Sequence, residues 1–238
     1  MPRMLLLPPT PLSVPLAPFR AALRLCRTAP GTYIWLGVLF LTTVVLHHMD
    51  PALTDDFLRR RSTNIHHLSE HPVRVLVTSA LWLDGGTWRT WLLYAVLYSV
   101  FHAPAERRLG TLRWLAVVAA AHIGATYLGE GVLGWAIRHG IAEPESVNTL
   151  DVGVSYALAG VVAVLTYRIP SPWRYVYLFG VVTFYALPLV NGRTFTDIGH
   201  FSAVLIGLAC YPLTRNPGPR RLRTSRTRRA VPPRTPAP

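Results

Sequence analysis

The sequence contains no lysine, only two cysteines and little charge of either sign. All 24 basic residues are arginine, the bias a GC-rich coding sequence would give. Two cysteines, Cys26 and Cys210, cannot build a disulfide framework. They are expected to be packing residues on the cytoplasmic side, where thiols stay reduced. Charged residues make up 15% of the chain, well under the roughly 25% of soluble domains. No repeat of 20–50 residues is visible, and the halves are not inverted copies, which argues against a secondary transporter. The run Leu5–Leu7 stops at Pro8 and Pro9, too short and broken for a signal-peptide core.

What is present is apolar length. Hydrophobic residues are 51%, gathered in blocks almost free of charge, while arginines collect between blocks and at the ends. That segregation reads as membrane spans. Six are expected: Thr32–His47, Trp88–His102, Leu112–Leu128, Asp151–Tyr167, Tyr175–Val190 and Ile198–Leu213. A further apolar stretch, Pro72–Leu83, is short for a span and fits a re-entrant or interfacial loop. The tryptophans Trp82, Trp88, Trp91 and Trp173 near span ends suit an aromatic belt. The fold class is therefore all-α, a polytopic six-helix membrane bundle. Residues 1–31 form a Pro/Arg-rich tail, 32–213 the membrane domain, and 214–238 a basic tail expected to be disordered.

Arginine placement orients the bundle. One face holds four arginines in the N-terminal tail, three in the 103–113 turn, two in the 168–174 turn and eight in the C-terminal tail; the other face holds the remaining seven. By the positive-inside rule both termini are cytoplasmic, in a multi-pass cell-membrane protein. The formal net charge of +13 would suggest nucleic acid in a soluble protein. Beside apolar spans it points to anionic lipid instead, so membrane lipids are the expected partner and nucleic acid is not.

Several residues invite chemistry. Glu106-Arg107-Arg108-Leu109-Gly110 closes the second span, with glycine stopping the helix. In the fourth span Gly153 and Ala157 stand four apart; in the sixth, Gly199, Ala203 and Gly207 do the same. Small residues at that spacing let membrane helices approach closely, so spans four and six are expected to pair. His200 is an ionisable group inside a span, where such groups face protein or a water cavity. Asp151 could cap the fourth span. Asp197 could cap the sixth or orient His200. His67 and His71, with His47, His48, His66, Asp55 and Asp56, lie in the loop after span one. Their i, i+4 spacing could hold two metal ligands, but no further ligand motif accompanies it. No metal and no cofactor is expected.

Taken together, Glu106–Gly110, residues 152–160 and Gly199-His200 through Gly207 resemble, in order and spacing, the anchors of the rhomboid superfamily of intramembrane serine proteases. The likeness covers about residues 32–213. It implies a serine at the outer end of span four activated by His200, with a histidine and an asparagine near the start of span two holding the oxyanion. Two registers compete for the serine. One places Ser155 there, but then finds Tyr156 and Ala159 where glycine and an aromatic belong. The other places Val152 there and matches Gly153, Tyr156, Ala157, Leu158 and Gly160 downstream. In that register Tyr156 is the aromatic packing on the histidine. The oxyanion positions fall on Tyr94 and, near the start of the span, Thr90, neither of which is the family's residue. The resemblance thus implies a degenerate site and an inactive protein that binds transmembrane segments of clients. The alternative is an active intramembrane serine protease using Ser155 and His200.

Overall fold

A computed structural model describes residues 26–191 and 194–215. The expectations for the two tails fall largely on 1–25 and 216–238, outside the described residues. Among the described residues every regular element is helical, and six helical segments form a membrane bundle.

Helix α1, Pro30–His47, opens on a proline at its first position, where the missing N–H costs nothing. It buries Leu36, Leu39, Thr43 and Leu46 and leaves Ile34, Leu41 and Val45 exposed. A helix apolar on all sides has lipid as its second solvent. Three short helices follow: α2 (Pro51–Arg59), α3 (Ile65–Glu70) and α4 (Pro72–Ser79). Asp50 and Asn64 cap the first two through their side chains.

The second crossing is a composite. Helix α5, Trp88–Leu97, runs into a π-helical turn, Tyr98–His102, and then α6, Ala103–Leu109. Pro104 explains the turn: it cannot donate to the carbonyl four residues back, and its ring would strike it. One residue of slack lets the Ala103 N–H reach the Tyr98 carbonyl instead. Gly110, at φ 84°, ends the crossing in a conformation that side chains disfavour.

Helix α7, Thr111–Arg138, starts where expected but runs ten residues beyond Leu128. Its 28 residues span roughly 42 Å. Gly129-Glu130-Gly131 reads as a helix end in sequence. In the structure Gly129 meets the crossing α10, where an added Cβ would stand 3.2 Å from the Phe195 carbonyl, and Glu130 is buried. Packing overrides local propensity here.

Helix α8, Val154–Val164, continues as a 3-10 turn, Leu165–Arg168. Helix α9 is Trp173–Asn191, α10 is Phe195–Ala209 and α11 is Tyr211–Thr214. By length and composition α1, α7 and α9 can each cross a membrane; α8 with its 3-10 turn and α10 are shorter apolar helices. Helices α7, α8 and α10 share the most extensive interfaces, and α8 lies at their centre. Helix α9 is peripheral, with Val181 its one buried residue. Cys26 and Cys210 are both free thiols.

Two anchors fix the crossings to one another. The Glu106 carboxylate, 1% exposed, accepts from Gly31 N, Thr32 N, Thr32 Oγ1 and Thr111 Oγ1 at 2.7–2.9 Å. It thereby serves orphan N–H groups at the start of α1. The second anchor seats the stretch after α1. Helix α4 ends inside the bundle, where its last carbonyls find no water. Trp35 Nε1 donates to the Ala80 carbonyl at 2.8 Å, and His122 Nε2 lies 2.8 Å from the Leu76 carbonyl. A carbonyl only accepts, so Nε2 carries the proton. His122→Ala leaves that carbonyl with only the long bond from Ser79 Oγ at 3.4 Å and a void beside it. The expected cost is roughly 2–4 kcal/mol, read as a lower unfolding midpoint in detergent. An unchanged midpoint would mean that α4 seats without this bond.

Candidate functional site

The central helix defines the site by exception. Every residue of α8 is buried except Ser155. Its half-exposed side chain borders a cavity of about 450 Å³ between α8, α9 and α10, together with Leu158, Tyr185, Asn191, Asp197 and His200. A second cavity of about 450 Å³ is walled by Leu97, Phe101, Val162, Tyr177 and Val181 and shares Leu158, Phe184 and Tyr185 with the first. The two form one groove along α9, apolar for most of its length and polar where Ser155 and His200 meet it.

His200 sits one turn inside α10. The Tyr156 ring stands edge-on to it at 5.0 Å, and the Tyr185 ring lies at 6.1 Å. The Thr196 backbone and the Asp197 carboxylate are its polar neighbours. Asp197 is already engaged, since its Oδ2 accepts from Thr194 N and Thr194 Oγ1 at 3.0 and 2.7 Å in a capping box. Asp197 thus caps α10 and stands near the imidazole, with no hydrogen bond between the two among the described residues.

Among the described residues no hydrogen bond joins Ser155 to His200. The polar neighbour of Ser155 is the Tyr94 hydroxyl, from α5. Val152 lies outside the cavity lining, just before α8. Thr90 is turned back on its own helix start, with its N–H and hydroxyl both bonded to Thr87 Oγ1.

The small residues divide differently from their sequence pattern. On α10, Gly199 faces the Tyr156 ring; an added Cβ would lie 2.7 Å from the phenol oxygen. Gly207 lies against the Gly160 backbone, and Gly160 in turn against Ala121 and the Ala203 carbonyl. Gly160 is therefore the crossing point of α7, α8 and α10. Gly153, grouped in sequence with Ala157 as part of a face toward span six, instead sits on the His122 ring of α7. Gly153 is the N-cap residue of α8, with its backbone outside the helix, so the four-residue helical spacing does not carry its direction. Ala157 is fully buried, in the apolar cluster with Trp114, Val117 and Val161.

Asp151 corrects another expectation. It does not cap α8, which has no side-chain cap. Its carboxylate accepts from Thr63 Oγ1 at 3.1 Å, and its N–H donates to Ser62 Oγ at 2.6 Å. These bonds tie the α2–α3 junction to the start of α8.

His122 and His102 carry structural weight that the sequence reading did not assign. His102, fully buried, stacks on Tyr98 at 4.0 Å and accepts from Trp114 Nε1 at 3.2 Å. Trp35 stands edge-on to all three rings. The available signal was their polarity within apolar spans. Of the loop histidines, His66 pairs with Glu70 at 3.8 Å, and no group of three or more metal-ligating side chains occurs among the described residues.

The fold and site define a multi-pass helical membrane protein. A short, buried central helix brings one hydroxyl and one imidazole to a lateral groove. Residues 24–220 match the family model described as rhomboid-like protein. The chain belongs to that family. No curated protein and no solved structure matches it.

Proposed function

We propose that this chain is a catalytically inactive rhomboid-like protein of the cell membrane, both termini cytoplasmic, that binds transmembrane segments of client proteins in the groove along α9. The observation that carries this reading is the environment of His200: two tyrosine rings, the Thr196 backbone and the Asp197 carboxylate, with no hydroxyl among the described residues bonded to the imidazole. Val152, which the family register sets at the nucleophile position, has no group that can attack a carbonyl. Thr90 and Tyr94 replace the oxyanion donors, and losing one such donor costs about 10²–10³ in rate. The groove itself is suited to an apolar helix. Its walls are Leu97, Phe101, Val162 and Phe184, and α9, which forms one side, buries only Val181.

One observation favours a second reading, an active protease. Ser155 borders the same cavity as His200 and has the Tyr94 phenol beside it, which supplies a hydroxyl, a base and a donor in one recess. Catalytic hydrogen bonds are often long in unliganded sites.

Fluorophosphonate labelling of the purified protein separates the two. Inactivity predicts labelling at background, unchanged in Ser155→Ala and His200→Ala. Labelling that disappears in both variants would establish the protease. Client binding is tested by photocrosslinkers at Phe184 and, as control, at Leu41, an exposed residue of α1 that borders neither half of the groove. The groove position is expected to capture transmembrane segments and the control position is not.

A further inference from the structure

A cationic recess lies apart from the groove, where the chain passes from α2 through α3 into α4. It is a cavity of about 400 Å³ lined by Arg60, His67, Glu70, His71, Arg74 and Val75. Arg61 adjoins it; burial, then the Arg74 and Arg60 charges, lower its pKa from the ordinary arginine value. Two arginines thus line the recess and the charge of a third adjoins it. Their neutralisation is incomplete. Arg60 pairs with Asp56 at 2.8 Å on an exposed flank, Glu70 is turned to His66, and Arg74 has no hydrogen bond or ion pair to a described residue. Nδ1 of His67 is buried without a partner. Arg61 is held rigid, its guanidinium 3.4 Å above the Phe57 ring and near Trp82.

Helix α4 gives this recess a depth. Its C-terminal end is inside the bundle, bonded to Trp35 and His122. Its eight residues rise roughly 12 Å, so its N-terminal end, with Arg74 and the cap residue His71, stands about that far from the end seated in the bundle. Val73 and Val77, 74% and 57% exposed, flank Arg74 and turn to lipid. Exposed arginines beside exposed valines, at the end of α4 away from the bundle, suit a ligand that joins a charged headgroup to apolar chains. In a membrane the abundant anionic group is a lipid phosphate, and guanidinium forks match its oxygens.

We propose that this recess is a binding site for the phosphate of an anionic phospholipid headgroup, with Arg60 and Arg74 as its direct ligands. The site is independent of whether the groove binds a client or cleaves one.

The test is native mass spectrometry of the full chain in detergent, titrated with phosphatidylglycerol, phosphatidylcholine or inorganic phosphate. Wild type is expected to take a first phosphatidylglycerol in preference to phosphatidylcholine. Arg60→Gln/Arg74→Gln is expected to weaken that first binding about tenfold or more. Arg107→Gln/Arg108→Gln, at the opposite end of the bundle, should change it less than about twofold. Both pairs are on the surface, and an unchanged unfolding midpoint without lipid confirms that the variants fold. Equal first-lipid affinity in the Arg60/Arg74 variant would overturn the proposal. So would indifference between the two lipids, or inorganic phosphate competing as an equal, which would assign the recess to a soluble phosphate.

Discussion

Replacing Glu106 with alanine is expected to cost roughly 3–5 kcal/mol of stability. The carboxylate is the common acceptor for two backbone N–H groups at the start of α1 and for the hydroxyls of Thr32 and Thr111. Removing it strands the buried N–H and hydroxyl of Thr32, each carrying its full desolvation cost, and frees the part-buried donors of Gly31 and Thr111. The surroundings cannot close over the gap. Gly31 is already pressed on the Trp114 ring, at 2.6 Å from where a Cβ would be. Glu106→Gln should fall between, since the amide offers one acceptor oxygen and turns an N–H₂ toward donors. The measurement is the unfolding midpoint in detergent, set against Glu70→Ala. Glu70 has a side chain 53% exposed in a long pair with His66, so its loss should register under about 1 kcal/mol. If the two alanine variants unfold alike, α1 is not held by this carboxylate.

The second large effect is expected at Gly207. A methyl group there meets the Gly160 carbonyl and stands 2.8 Å from the Gly160 Cα. Both are backbone, so no rotamer change gives relief and α8 and α10 must part. Overpacking of this kind costs about 3 kcal/mol. Gly37→Ala is the matched control, because nothing lies within 4 Å of its added Cβ and alanine is the better helix former by about 1 kcal/mol. Gly207→Ala should lower the midpoint and Gly37→Ala leave it level or raise it. Because α8 and α10 also carry Ser155 and His200, parting them should weaken crosslinking from Phe184 in the same sample. A Gly207→Ala protein with both properties intact would show that the helices do not rely on backbone contact.

Several features were legible before any coordinates. The six crossings follow from apolar length, and the spacing of Gly199, Ala203 and Gly207 marked the face of α10 that approaches other helices. A capping role for Asp197 was expected from its place at the outer end of span six; the structure gives it that role as the partner of Thr194 in a capping box. Where the local signal misled, a distant partner was responsible. Span three was expected to end at Leu128, yet α10 crosses there and the helix continues to Arg138. Asp151 looks like a cap, yet Ser62 and Thr63 take it. Gly153 looks like part of a helix face, yet it is the cap residue and sits on His122.

The sequence by itself determined that this chain is an apolar helical bundle with segregated charge, because burial in lipid depends on composition and length within each segment. It also determined which family the order of short motifs resembles. Only the tertiary structure decided that Ser155, the one half-exposed residue of α8, reaches the groove beside His200, and that Gly160 is where three helices cross. Both depend on how helices far apart in sequence rotate against one another. That rotation is set by side-chain contacts across the bundle, such as Tyr156 on Gly199 and His122 on Gly153, which no periodicity within one helix encodes.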